Sequence, residues 1–160
     1  MKFNITYTLS RFTRLMVTGM ALVGLMACSY FNGSGFVPAK HDNIQNVTSA
    51  ESFDLMVVRA TTPVLVDFWA PWCAPCRAME PTIVHIAEEF RGSVGVVKVN
   101  VDDNRALAEQ YNIRAIPTLM IFNNGRAVAM FEGAMRRAAL DRWLRDQLKQ
   151  DGVALPDPVS

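Results

Sequence analysis

Hydrophobic and polar positions follow two periods along this chain, and the switches between them outline its elements. Val64 to Trp69 is apolar except for Asp67, too continuously for a strand with one wet face, so a central strand covered on both sides is expected. From Ala74 to Phe90, Met79, Ile83, Ile86, Ala87 and Phe90 recur at helical spacing and make an inward face. Pro81 falls inside that helix and is expected to kink it by removing one backbone bond. Arg91-Gly92-Ser93 closes it; Val94 to Val101 is a second strand, and Asn104 is placed to cap a short helix to Tyr111. Thr118 to Phe122 and Arg126 to Phe131 flank Asn123-Asn124-Gly125, a hairpin signal. The last helix runs from Arg136 to Lys149, with Leu140, Trp143, Leu144 and Leu148 as a core stripe. Upstream, Thr48 or Ser49 caps a helix containing Phe53, Leu55, Met56, Val57 and Val58, which ends before Thr61-Thr62-Pro63. Strands alternating with helices, then a hairpin and a helix, predict a single α/β domain over 47–149, a central mixed β-sheet flanked by helices.

The two ends follow neither period. Met1 to Ala27 has a basic start and a 12-residue apolar run from Leu15 to Met26, the anatomy of an export signal. That run is too short for an ordinary spanning helix. Leu25-Met26-Ala27-Cys28 resembles the lipobox of bacterial lipoproteins, which implies lipidation of Cys28 as the first mature residue. Ser29 after it resembles the sorting signal for the outer rather than the inner membrane. The expected location is therefore the bacterial cell envelope, lipid-anchored and facing the periplasm, with a soluble periplasmic protein as the alternative. Residues 28–46 are polar and Gly-rich and are expected as a flexible tether; 150–160 is expected as a mobile tail.

Charge adds little. Lys2, Arg11 and Arg14 are the only charges ahead of Cys28, and without these three of the 16 basic residues, against 15 acidic, the formal +1 becomes about −2. No basic face and no Gly-rich phosphate loop supports nucleic-acid or nucleotide binding.

Chemistry concentrates at Trp72-Cys73-Ala74-Pro75-Cys76-Arg77. Cys73 sits where strand gives way to helix, and helix N-terminal amides favour a thiolate, bringing such cysteines from about 8.5 to roughly 7 or below. Cys76 lies on the same helical face, within disulfide reach and one turn further from solvent. Pro75 suits a first turn because its missing N–H loses no partner. Asp67, a carboxylate in an apolar strand, is solvated, paired or kept for chemistry.

With Val-Asp-Phe-Trp-Ala before it and Ile116-Pro117 after it, this motif resembles the thioredoxin active site, and the resemblance spans about Val47 to Leu148. The departure is Ala74 where the family has Gly. The resemblance implies the thioredoxin fold, no cofactor beyond a Cys73–Cys76 redox disulfide, and thiol-disulfide exchange as a protein-disulfide reductase. Its partners would be protein disulfide substrates and an electron-donating dithiol protein. It further implies that Asp67 accepts a proton from Cys76 through a water, that Lys98 lies near that carboxylate, and that Ile116-Pro117 forms a cis-proline loop exposing the Ile116 backbone to substrate. Trp69 reads as packing, and Trp72, with Gly133 and Ala134, as a shallow apolar substrate surface. Arg77 reads as a solvated helix charge, His85 as a surface or boundary side chain, and His41 as a solvated linker residue.

Other readings of the motif are an envelope oxidant or isomerase, a non-catalytic binding or chaperone domain, and a zinc module using the two cysteines. Ala-Pro is closer to the reductive Gly-Pro pair than to the Pro-His of the strong periplasmic oxidant. Only Cys28, His41 and His85 remain as further zinc ligands, and none is suitably paired, so no metal is expected. A monomer is expected.

Overall fold

A computed structural model describes residues 43–155. The alternation along Val64–Trp69 (β2) decides the layers. Val64, Val66 and Phe68 point into a cluster with Phe53, Val57, Val97, Val99, Leu107, Met120 and Phe122. Leu65 points the other way, among Met79, Ile83, Ile86, Leu119, Ile121, Leu140, Leu144 and Leu148. Full burial of such side chains contributes roughly 1.5–3 kcal/mol each, so a strand feeding two cores anchors the domain.

Five strands form one mixed sheet in the order β1-β3-β2-β4-β5, with β1 Ile44–Asn46, β3 Gly95–Asn100, β4 Thr118–Asn123 and β5 Arg126–Glu132. β1 and β2 run parallel to β3; β4 runs antiparallel to both β2 and β5. The long helices α2 (Ala74–Glu89) and α4 (Arg137–Gln150) cover the Leu65 face. On the other face lie α1 (Ala50–Phe53) and α3 (Arg105–Gln110). The mixed α/β architecture expected from the pattern is present.

Local chemistry accounts for the element ends. Ser49 caps α1 by a reciprocal box: its hydroxyl accepts from the Ser52 amide at 3.1 Å, and the Ser52 hydroxyl accepts from the Ser49 amide at 3.0 Å. The β4–β5 turn places Asn124 at φ 50° and Gly125 at φ 74°, the left-handed pair of a two-residue hairpin. A Cβ on Gly125 would lie 2.7 Å from the Val58 carbonyl oxygen, so the close approach of a neighbouring loop also requires glycine there.

Several expectations change. The last residues of the segment expected as a tether do not form one, because Ile44–Asn46 pair with Val96–Lys98 as an edge strand and Ile44 packs on the core. Three residues are too few to show a period. The tail expected from Gln150 is held as far as Leu155. Gly152, at φ 79°, turns the chain so that the Val153 amide donates to the Leu148 carbonyl at 2.8 Å, and Val153 and Leu155 pack against the core. The helix expected to Val58 widens after Phe53 into a π-helical turn, Asp54–Val58, where the Arg59 amide donates to the Asp54 carbonyl. Asn104 does not cap α3 with its side chain; its amide donates to the Asn100 and Val47 carbonyls and ties α3 to the sheet. The export signal, Cys28, His41 and residues 156–160 lie outside the described residues.

Candidate active site

β2 ends at Trp69, and Ala70, Pro71 and Trp72 carry the chain to Cys73, the N-cap of α2, in extended conformation (φ −75°, ψ 104°). Its sulfur does the work of a capping oxygen: the Cys73 Sγ accepts from the Cys76 amide at 3.2 Å. Pro75 occupies the first turn without cost, since its nitrogen has no hydrogen to leave unpaired. Arg77, expected to be a solvated charge, braces the loop by donating to the Pro71 carbonyl at 2.7 Å. Cys73 and Cys76 are joined in a disulfide with their Cα atoms 5.3 Å apart. Cys76 is the deeper of the two by a small margin only. Cys73 is 4% and Cys76 3% exposed, because Ala70, Trp69 and Ile116 pack around the pair.

Ile116 reaches the sulfurs from the loop before β4, where the Ile116–Pro117 bond is cis. The Thr118 hydroxyl donates to the Ala115 carbonyl at 2.7 Å and the Gly133 amide to the Pro117 carbonyl at 2.8 Å, so the loop is tied from both sides. Trp72 is 66% exposed, and its indole N–H donates to Asp102 Oδ2 at 2.8 Å. Trp72 and Ile116 share the wall of a cleft of about 310 Å³, with Val101, Ala108 and Ile113 among its apolar lining and Arg105, Glu109 and Arg114 also lining it. Gly133 and Ala134, expected to complete this surface, do not line the cleft.

Behind the disulfide, Asp67 and Lys98 are register partners on adjacent strands. Asp67 is 2% and Lys98 5% exposed, so Lys98 is not a lysine reaching solvent. Alternation puts both on the Leu65 face, under α2. The Lys98 ammonium forms an ion pair with Glu80 of α2 and lies 4.3 Å from the centre of the Trp69 ring. Asp67 Oδ1 is buried with no hydrogen-bond partner among the described residues. Burial pushes the Asp67 carboxyl up from 3.8 to about 7; Lys98 opposes the rise and Glu80 adds to it. A carboxyl so placed changes protonation near neutrality, within the range where thiols exchange protons.

Glu80 escapes notice in the sequence, because an acidic residue on a helix is ordinary. Its signal is spacing: it follows Cys76 by four residues, one turn along the same face. Asp102 escapes for a similar reason, as one of two loop aspartates. His85 lies at the boundary as expected, hydrogen-bonded to Glu89 at 3.1 Å and 3.4 Å from Arg137. Among the described residues no group of three or more His, Cys, Asp or Glu could hold a metal ion.

The thioredoxin family model matches residues 44–146. The thioredoxin of Porphyra purpurea is 49% identical over 102 residues, 64% of this chain and 94% of that protein. Thioredoxin 1 of Nostoc sp. is 48% identical over 97 residues, 61% of this chain and 91% of the relative. The thioredoxin of Haemophilus influenzae is 43% identical over 96 residues, 60% of this chain and 90% of the relative. A dithiol pair that closes at a helix start, without a cofactor, on a sheet of this order is thus accompanied by likeness along nearly the whole described domain, and the chain belongs to the thioredoxin family of protein-disulfide reductases.

Proposed function

We propose that this protein is a lipid-anchored reductase of protein disulfides on the periplasmic side of a bacterial cell envelope, using Cys73 as nucleophile and Cys76 as resolving thiol. The observation that carries the chemistry is the Cys73 sulfur capping α2, where the Cys76 amide and the helix dipole favour its thiolate. In the reduced protein the Cys73 thiolate attacks one sulfur of a substrate disulfide, expelling the other as a thiolate and forming a mixed disulfide. Cys76 then gives its proton to Asp67 through a water, and its thiolate attacks the Cys73 sulfur. The second substrate thiolate leaves, and the enzyme ends as the disulfide described above. Two electrons have moved to the substrate, and a dithiol protein returns them. Lys98 lies beside the proton acceptor, and the cleft walled by Trp72 and Ile116 takes the substrate chain, with the Ile116 backbone pairing as an added strand and Gly133 holding Pro117.

Insulin reduction with a dithiol donor tests the activity; a Cys73→Ser variant that matches the unaltered protein would overturn it. A redox titration separates reductase from oxidant, since a potential near those of strong oxidants reverses the direction. The anchor rests on Leu25-Met26-Ala27-Cys28 after the apolar run. Mass spectrometry of the membrane fraction should find a diacylglyceryl group on Cys28, and a retained Met1 or a free thiol at Cys28 rejects it. The domain is proposed to act as a monomer, which sedimentation would check.

A further inference from the structure

Lys98 is the nearest neighbour of Asp67 in strand register and shares its face, and yet its ammonium is engaged elsewhere, by Glu80 and by the Trp69 ring. No ion pair joins Lys98 to Asp67 among the described residues, and Asp67 Oδ1 stays without a hydrogen-bond partner. We infer that Glu80 is a positioning residue for the exchange reaction: it holds the Lys98 ammonium away from Asp67 and so keeps that carboxyl free to take the proton of Cys76. This rests on Asp67 being the proton acceptor, as proposed above.

The geometry supplies the reason. Glu80 is fixed by α2 one turn beyond Cys76, and its side chain is half-exposed while that of Lys98 is buried. The pair therefore ties a buried cation to a half-exposed carboxylate on α2, which solvent reaches directly. With Glu80 neutral, the acidic group in strand register with the ammonium is Asp67. Pairing would turn a weakly acidic carboxyl into a charge-stabilised carboxylate, a poorer proton acceptor. The charged groups that act on Asp67 are Lys98 from β3 and Glu80 from α2; β4 sets Leu119 opposite it in register. Loss of Glu80 also removes a negative charge near Asp67, which acts in the same direction, so the part passing through Lys98 must be separated experimentally.

The test follows the Asp67 side-chain carboxyl by carbon NMR against pH in the oxidised full chain, in four forms: unaltered, Glu80→Gln, Lys98→Met and the double variant. Glu80→Gln should move the midpoint to lower pH by about one unit, and most of that shift should vanish in the Lys98→Met background. Lys98→Gln replaces Lys98→Met should the latter not fold. An unmoved midpoint in Glu80→Gln, or the same shift with and without Lys98, overturns the inference. The pH profile of insulin reduction is read alongside. Its acid limb should shift with the midpoint; a limb that stays while the midpoint moves overturns the Asp67 reading beneath it. A packing role for Glu80 would lower stability and leave both unmoved.

Discussion

Replacing Asp67 by Asn in the oxidised protein isolates the consequence of burying one carboxyl. The folded-state value is raised from 3.8 to about 7, so between these limits the folded protein holds a proton that the unfolded chain has released. Stability associated with Asp67 is therefore complete below about pH 4, falls as pH rises, and is lost above about pH 7. At 1.36 kcal/mol per unit, the separation corresponds to about 4 kcal/mol. The amide keeps the shape and does not ionise, so Asp67→Asn should gain on the unaltered protein across this window, by about 4 kcal/mol between pH 4 and pH 8. The two proteins differ at this one group, so the difference between two denaturation curves reports Asp67 together with its coupling to Lys98 and Glu80. Guanidinium titrations of the disulfide form at closely spaced pH values measure it, and thermal midpoints should diverge by several degrees. A stability difference independent of pH, or one favouring the unaltered protein more strongly as pH rises, would refute the reasoning.

The same substitution should slow insulin reduction from neutral pH upward, where Asp67 is ionised and able to take the proton; unchanged kinetics above neutrality dismiss the proton-acceptor role. Cys76→Ser, which leaves the capping amide in place, should trap mixed disulfides in envelope extracts, identifiable by mass spectrometry, while Cys73→Ser traps none. In that Cys76→Ser protein, alkylation of Cys73 should show a midpoint below the ~8.5 of an ordinary thiol, and a midpoint at that value removes the basis for Cys73 as nucleophile. Gly125→Ala should cost roughly 1–3 kcal/mol, since it meets both a left-handed φ and the Val58 carbonyl oxygen at 2.7 Å, and urea titration checks it.

The parts of the fold that were legible are those that repeat. Val64–Trp69 is an apolar run interrupted by Asp67 alone and occupies the predicted span, as does the start of α2 at Ala74, because a Cys-x-Pro-Cys turn announces a helix start. Asp67 was legible as a lone carboxylate among apolar neighbours. What it does there depends on two side chains distant in sequence, Lys98 and Glu80, whose meeting is set by the β2–β3 register and by the way α2 lies across the sheet. No local pattern encodes that. β1 escaped because three residues carry no period, and the residues after Gln150 because their order comes from a glycine-led reversal and contacts with a distant core. The substrate surface was half legible: Trp72 and Ile116 do share a cleft, but its far wall comes from α3 and the segment after it, where Arg105, Ala108 and Ile113 show no motif.

With Cys73 4% and Cys76 3% exposed, the two cysteines of the oxidised domain are close to sealed. Burial of this degree favours a reducing thiol carried on a chain that seats in the cleft walled by Trp72 and Ile116 over one that arrives by chance collision. Partner choice is then settled by docking before any electron moves, so a dissolved thiol of equal driving force should be a slow donor and a well-fitted protein a fast one. Such a gate allows a dithiol to discharge into a docked substrate and, once spent, to wait for a docked supplier.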